Sequence, residues 1–179
     1  MVRDPLTYLA VCVTPIAVFW LAGRLIGLNR PFSGPTGHAW LDAEEAFDQA
    51  RRQHLRHHLA AVARGQPHRL DLPTLDEAAA LGPFGPRSPT ESVVPIRDIV
   101  GTADGAAGKF DRDFLPTDER SRSRFQTIAI ALRQGEELPP IEVYRLHGHY
   151  YVSDGHHRVA AARALGEKSI AAHVIEILR

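Results

Sequence analysis

Residues 150–166 read YYVSDGHHRVAAARALG. An aromatic, β-branched run stops at Ser153-Asp154-Gly155, and an alanine-rich segment of helical character follows at once. The stretch reads as a strand that hands over to a helix through a tight turn. Such a junction leaves N–H groups at the helix start without intrahelical partners. Together with the helix dipole they attract anions, phosphate above all. Gly155 permits a turn that other residues resist and lets a ligand approach the backbone. Arg158 adds a cation whose fork suits phosphate oxygens. His156 and His157 can donate to phosphate or move a proton near neutral pH. Asp154 suits three roles: helix N-cap, acceptor that orients an imidazole, or ligand to a bound Mg²⁺. The plain alternative is a capped helix start on which the histidines are decoration.

The flanks extend this reading. IEVYRL (141–146) and HYYVS (149–153) surround His147-Gly148, which by alternation and turn is a hairpin. SIAAHVIEIL (169–178) is β-branched and apolar, and reads as a closing strand. Before the hairpin, Phe125, Ile128 and Leu132 form an apolar stripe that Gly135 ends. Thr117 is the expected N-cap there, with Asp118 and Glu119 at the positive end of the dipole. VVPIRDIVG (93–101) starts as a strand and breaks at a turn, and KFDRDFLP (109–116) reads as a loop. The order strand, helix, strand, strand, helix, strand predicts a small α/β or α+β domain over residues 93–179.

Residues 38–92 read as a helical extension. Between Leu41 and Arg64 the residues Phe47, Leu55, Leu59 and Val62 fall on one face at helical spacing, with Arg51 the polar exception. His54, His57 and His58 stand at i, i+3 and i+4, a spacing that could bring metal ligands together; on an exposed helix without an acidic partner they read as simple surface residues. Thr74 and Glu77 form a capping box. GPFGPRSPTES (82–92) reads as a linker and domain boundary. Residues 1–37 combine an apolar segment with a second Gly/Pro-rich linker. TYLAVCVTPIAVFWLAG (7–23) carries no charge and approaches the length that crosses a bilayer. Residues 7–28 are then a membrane anchor that leaves the domain in the cytoplasm by the positive-inside rule, an extension upstream of the true start, or a helix packed on the domain.

Formal net charge is zero, so no global field argues for nucleic acid, although a local basic face remains open. The only cysteine, Cys12, excludes a disulfide within the chain and any thiolate-rich metal site. A reducing, cytoplasmic setting is the simpler reading.

The motifs VPIRDIV (94–100), LPPIEVYR (138–145) and YVSDGHHRVAAARALG (151–166) resemble the ParB/sulfiredoxin superfamily. The resemblance covers about residues 93–178. It implies a small mixed sheet with packed helices, here preceded by N-terminal helices. It also implies nucleotide phosphate contacts from Gly155, His156, His157 and Arg158, with a nucleoside di- or triphosphate and Mg²⁺ as ligand. Archaeal free-serine kinases share this fold and a similar box, so phosphoryl transfer to a small hydroxyl acceptor is one expected activity. Asp154, His156 and His157 are then the candidate catalytic groups, with Glu142, Asp111 and Asp113 behind them. The sulfiredoxin cysteine position is filled by His156, which argues against sulfinic acid reduction. The alternative is a non-catalytic, nucleotide-responsive module of chromosome-partitioning ParB type that contacts nucleic acid or a protein partner. The chain ends after the closing strand, where such a protein continues into a helix-turn-helix, so centromere binding in the usual manner is not expected. A metal site from Asp154, His156, His157, His147 and His149 is the weakest reading, since strand geometry separates the hairpin tip from the helix start.

Overall fold

A computed structural model describes residues 36–66, 70–76, 85–86, 88–103, 106 and 108–178. The apolar run 7–28 and Glu77 of the capping box lie outside the described residues. The elements are α1 (Ala39–Ala63), β1 (Gly85–Pro86), β2 (Thr90–Pro95), β3 (Ile99–Thr102), α2 (Arg122–Gln134), β4 (Ile141–Leu146), β5 (His149–Asp154), α3 (His156–Ala164) and β6 (Ser169–Leu178). Short 3₁₀ turns at Ile96–Asp98 and Glu119–Ser121 precede β3 and α2.

The six strands form one mixed sheet. β6 and β4 run parallel at its centre, and β5 returns antiparallel to β4. β3 lies parallel to β5 at one edge. At the other edge β1 and β2 pair end to end along β6, both antiparallel to it. The expected hairpin is present. His147 and Gly148 have φ of 50° and 83°, the left-handed pair that a two-residue turn needs. The stretch VVPIRDIVG, read as one strand that breaks, contributes two separate strands to opposite edges of the sheet.

Strand alternation turns Ile141, Val143, Val152, Ala172 and Val174 into the core, where they meet Phe47, Phe125, Ala129 and Val159. Helix α1 therefore shares the core of the sheet domain. The boundary expected near residue 92 falls inside β2, and residues 85–86 pair with the C-terminal end of β6.

Two readings of α1 are corrected. The helix buries Ala43, Ala46, Phe47 and Ala50, while Leu55, Leu59 and Val62 are 42 %, 44 % and 51 % exposed. Small alanines let α1 approach its neighbours closely, so the helix turns its alanine face inward and its leucines outward. His54 and His57 do have acidic partners, from the loop 109–116. His54 Nδ1 lies 2.8 Å from Asp111 Oδ2, and His57 Nδ1 lies 3.3 Å from Asp113 Oδ2. The expected cap at Thr117 is also absent. Its hydroxyl donates to the Gly108 carbonyl at 2.6 Å, and α2 begins five residues later. Gly135 does end α2 in a left-handed conformation, φ 74°.

This packing predicts unequal costs along one helix. Phe47→Ala removes a fully buried ring and should cost about 3–5 kcal/mol, whereas Leu59→Ser should stay within about 0.5 kcal/mol. Urea unfolding of the two variants checks this, and equal losses would contradict the orientation of α1.

Candidate functional site

The turn between β5 and α3 follows from Gly155. Its φ of 102° is left-handed, a region that side chains rarely tolerate. The space beside its Cα is occupied. A Cβ there would stand 2.8 Å from Ile141 Cβ and 3.0 Å from Arg158 Nε. The glycine is thus required by close packing inside the protein, independently of any ligand. Gly155 itself is the N-cap residue, and no side chain caps the helix. Asp154 is therefore not the cap. Its carboxylate pairs with Arg158 Nη2.

Arg158 is more committed than a free phosphate ligand would be. Nη1 donates to the carbonyls of Pro139 and Pro140, the latter at 3.1 Å, and Nη2 donates to Asp154. The side chain is 15 % exposed. It clamps the helix start to the segment that leads into β4. His156 is also held. Thr102 Oγ1 donates to the Val152 carbonyl at 3.3 Å, and His156 Nε2 shares a hydrogen bond with Thr102 Oγ1 at 2.8 Å. The ring lies nearly parallel to Phe110 and Phe114, at centroid distances of 6.1 and 6.3 Å.

His157 has a different environment. Its ring meets Phe110 edge-on at 5.0 Å, and Nδ1 is sealed from solvent without a hydrogen-bond partner. Burial is the main cause that lowers its pKa to about 4, and Arg124, His156 and Lys109 add to it against Asp118. The imidazole is accordingly neutral at neutral pH.

A cavity of about 370 Å³ opens at this turn. Asp154, Gly155, His156, His157 and Arg158 all line it. So do Lys109 and Arg124, which the sequence reading passed over. Neither has an ion-pair partner among the described residues. Both are single basic residues in segments read as a loop and as a helix, and only the fold brings them to the turn. Phe110 and Ile128 give the cavity an apolar wall. The remaining candidates lie elsewhere. Glu142 is exposed on β4, in register with Asp154 but outside the lining. Asp111 is buried and accepts from the backbone N–H of Asp113 and Leu115 at 3.0 and 2.9 Å. Asp113 faces His57 and a second cavity. Among the described residues no group of three or more metal-ligating side chains is placed to hold an ion, so the hairpin-tip histidines gain no such role.

Residues 112–178 match the family described as the ParB N-terminal domain. That match covers a little over a third of the chain and supports the resemblance of this segment to the ParB/sulfiredoxin superfamily. The match includes the 154–158 turn and Arg124, and begins three residues after Lys109. No curated protein matches the chain. A solved structure, sulfiredoxin from Arabidopsis thaliana, is 23 % identical over 48 % of this chain and 84 % of its own, with a TM-score of 0.35. That superposition is too loose to carry functional detail. No helix among the described residues is long and apolar enough to cross a membrane.

The depressed pKa of His157 sets a sign for the pH dependence of stability. The folded state disfavours its proton relative to the unfolded value of 6.5, so stability is full above 6.5 and falls as pH drops toward about 4. His157→Gln should flatten the profile in that window, measured by urea unfolding at several pH values. An unchanged slope would show that His157 is not the titrating group.

Proposed function

We propose that the cavity at the 154–158 turn binds the phosphate groups of a nucleotide. The observation that carries this reading is the pair of cations, Lys109 and Arg124, that line the cavity at the N-terminus of α3 without an ion-pair partner among the described residues. Helix N–H groups and cations converging on one polar, partly walled cavity suit a multiply charged anion. The apolar wall of Phe110 and Ile128 suits a less polar part of the same ligand. Arg158 contributes in two ways: it fixes the turn, and its charge adds to the local field. Nε and one N–H of Nη2 have no acceptor among the described residues, so Arg158 can reach phosphate while keeping Asp154.

A nucleotide of this class carries Mg²⁺. Asp154 is the one carboxylate among the described lining residues, so the ion would be held mostly by phosphate oxygens. For catalysis, His157 is the candidate to take a proton from a hydroxyl acceptor: its surroundings keep it unprotonated, and it is a weak base until a bound anion offsets the neighbouring cations. Phosphoryl transfer to a small hydroxyl substrate is the activity this supports. The second reading is a nucleotide-responsive regulatory module. It is favoured by the way Asp154, His156 and Arg158 are already bonded to the protein, as they would be in a site built to hold a shape.

The test is isothermal titration of the protein with pyrophosphate, ADP, ATP and CTP, each with Mg²⁺. At least one nucleotide should bind, and Lys109→Ala and Arg124→Ala should each weaken it by roughly tenfold or more. Absence of binding by folded wild type would overturn the reading. Consumption of nucleotide only when a hydroxyl acceptor is added separates the enzyme from the module.

A further inference from the structure

A second cavity of about 460 Å³ lies between α1, the end of α3 and the loop 113–115. Its lining is mixed: Gln49 and Gln53 from α1, Asp113 from the loop and Arg163 from α3, over a floor of alanines and Leu115. Gln49 and Gln53 are one helical turn apart, so their carboxamides point the same way. Neither has a hydrogen-bond partner among the described residues. Arg163 is largely buried, and burial pulls its pKa down. Its Nη2 is used twice, for the carbonyls of Ile96 at 3.1 Å and Ile99 at 2.6 Å. Its guanidinium sits over the Phe114 ring at 4.9 Å. Nε and Nη1 then keep three N–H groups without a protein acceptor among the described residues. A partly desolvated guanidinium with unused donors attracts an anion more strongly than one in water. Asp113 gives the same cavity an acceptor of opposite charge, only partly engaged by the exposed His57 at 3.3 Å.

We propose that this second cavity binds a small carboxylate that carries a hydrogen-bond donor at its other end, such as a hydroxyl or ammonium group. Arg163 receives the carboxylate on Nε and Nη1. Asp113 accepts from the donor group. Gln49 and Gln53 bridge the middle, where an amide can serve either as donor or as acceptor. The proposal is independent of the nucleotide reading, because none of these four side chains lines the first cavity. The two sites do share one loop. Phe110 walls the first, Asp113 lines the second, and Phe114 packs on both His156 and Arg163.

The experiment is titration calorimetry of the full chain with unbranched ω-amino and ω-hydroxy alkanoates of two to six carbons, beside the matching alkanoates and alkylamines. One chain length among the bifunctional probes should bind best, and its alkanoate and alkylamine counterparts should bind about tenfold more weakly or less well still. Gln53→Leu and Gln49→Leu lie on a helix surface and should leave the fold intact while weakening that probe. Arg163→Lys should weaken it most. If Arg163→Lys unfolds the protein, the glutamine variants decide. The proposal fails if no probe binds, if the plain alkanoate binds equally well, or if the glutamine variants leave affinity unchanged. It also fails if pyrophosphate displaces the probe, since that would put the carboxylate in the first cavity.

Discussion

Arg158 folded back over Gly155 is the contact on which the geometry of the site depends. The guanidinium joins three points that the chain reaches at different times: the Pro139 and Pro140 carbonyls before β4, the Asp154 carboxylate at the end of β5, and the first turn of α3. Each bond orders a charged group and costs side-chain entropy, which charge-assisted geometry offsets. The left-handed backbone at Gly155 and its contact with Ile141 then leave α3 only one direction in which to start. The alanines of α3 follow from this. A helix forced onto the sheet at that distance has room for Ala160, Ala161 and Ala162, which are buried, but not for larger side chains.

The loop 109–116 is the second fixed body, and Asp111 is what fixes it. A buried carboxylate is expensive unless its oxygens are satisfied. Here Oδ1 accepts two backbone N–H groups of its own loop and Oδ2 takes His54 from α1. The loop thus closes on its own carboxylate and is pinned to a helix more than fifty residues away in sequence. Being pinned, it can present Lys109 and Phe110 on one side and Asp113 on the other. A free loop would lose Lys109 to solvent. The two cavities both depend for this reason on one buried carboxylate and its hydrogen bonds.

What could be read in the sequence was whatever depends on neighbours along the chain. The hairpin at His147-Gly148, the strand-to-helix turn, the stop at Gly135 and the closing strand are all set by local conformation, and each is where the pattern put it. The five residues chosen at 154–158 do meet at one cavity, because a helix start gathers consecutive residues by itself. The failures have a common cause in distance. Leu55, Leu59 and Val62 looked like a core face because they are apolar at the right spacing, but the core needed the close approach of Ala43, Ala46 and Ala50. His54 looked free because its partner is in another segment. Lys109 and Arg124 carry no motif, and only the sheet and α2 bring them to the turn. In the sequence Asp154 and Arg158 suit a ligand, and only the fold shows their bond to each other.

The neutral state of His157 links these pieces. The cations that make the cavity attractive to an anion are also the charges that, after burial itself, drive the proton from that ring. A phosphate placed between Lys109, Arg124 and the helix start would cancel much of their field at His157. The imidazole would then bind a proton more readily than in the empty cavity. By linkage the reverse holds as well: protonation of His157 strengthens the site for anions by the same free energy. A hydroxyl acceptor brought beside such a phosphate would meet a base whose affinity for a proton rises on phosphate binding. With no acceptor, the same coupling would amount to uptake of a proton with the anion, so that catalysis and regulation would differ in whether a second molecule reaches the ring.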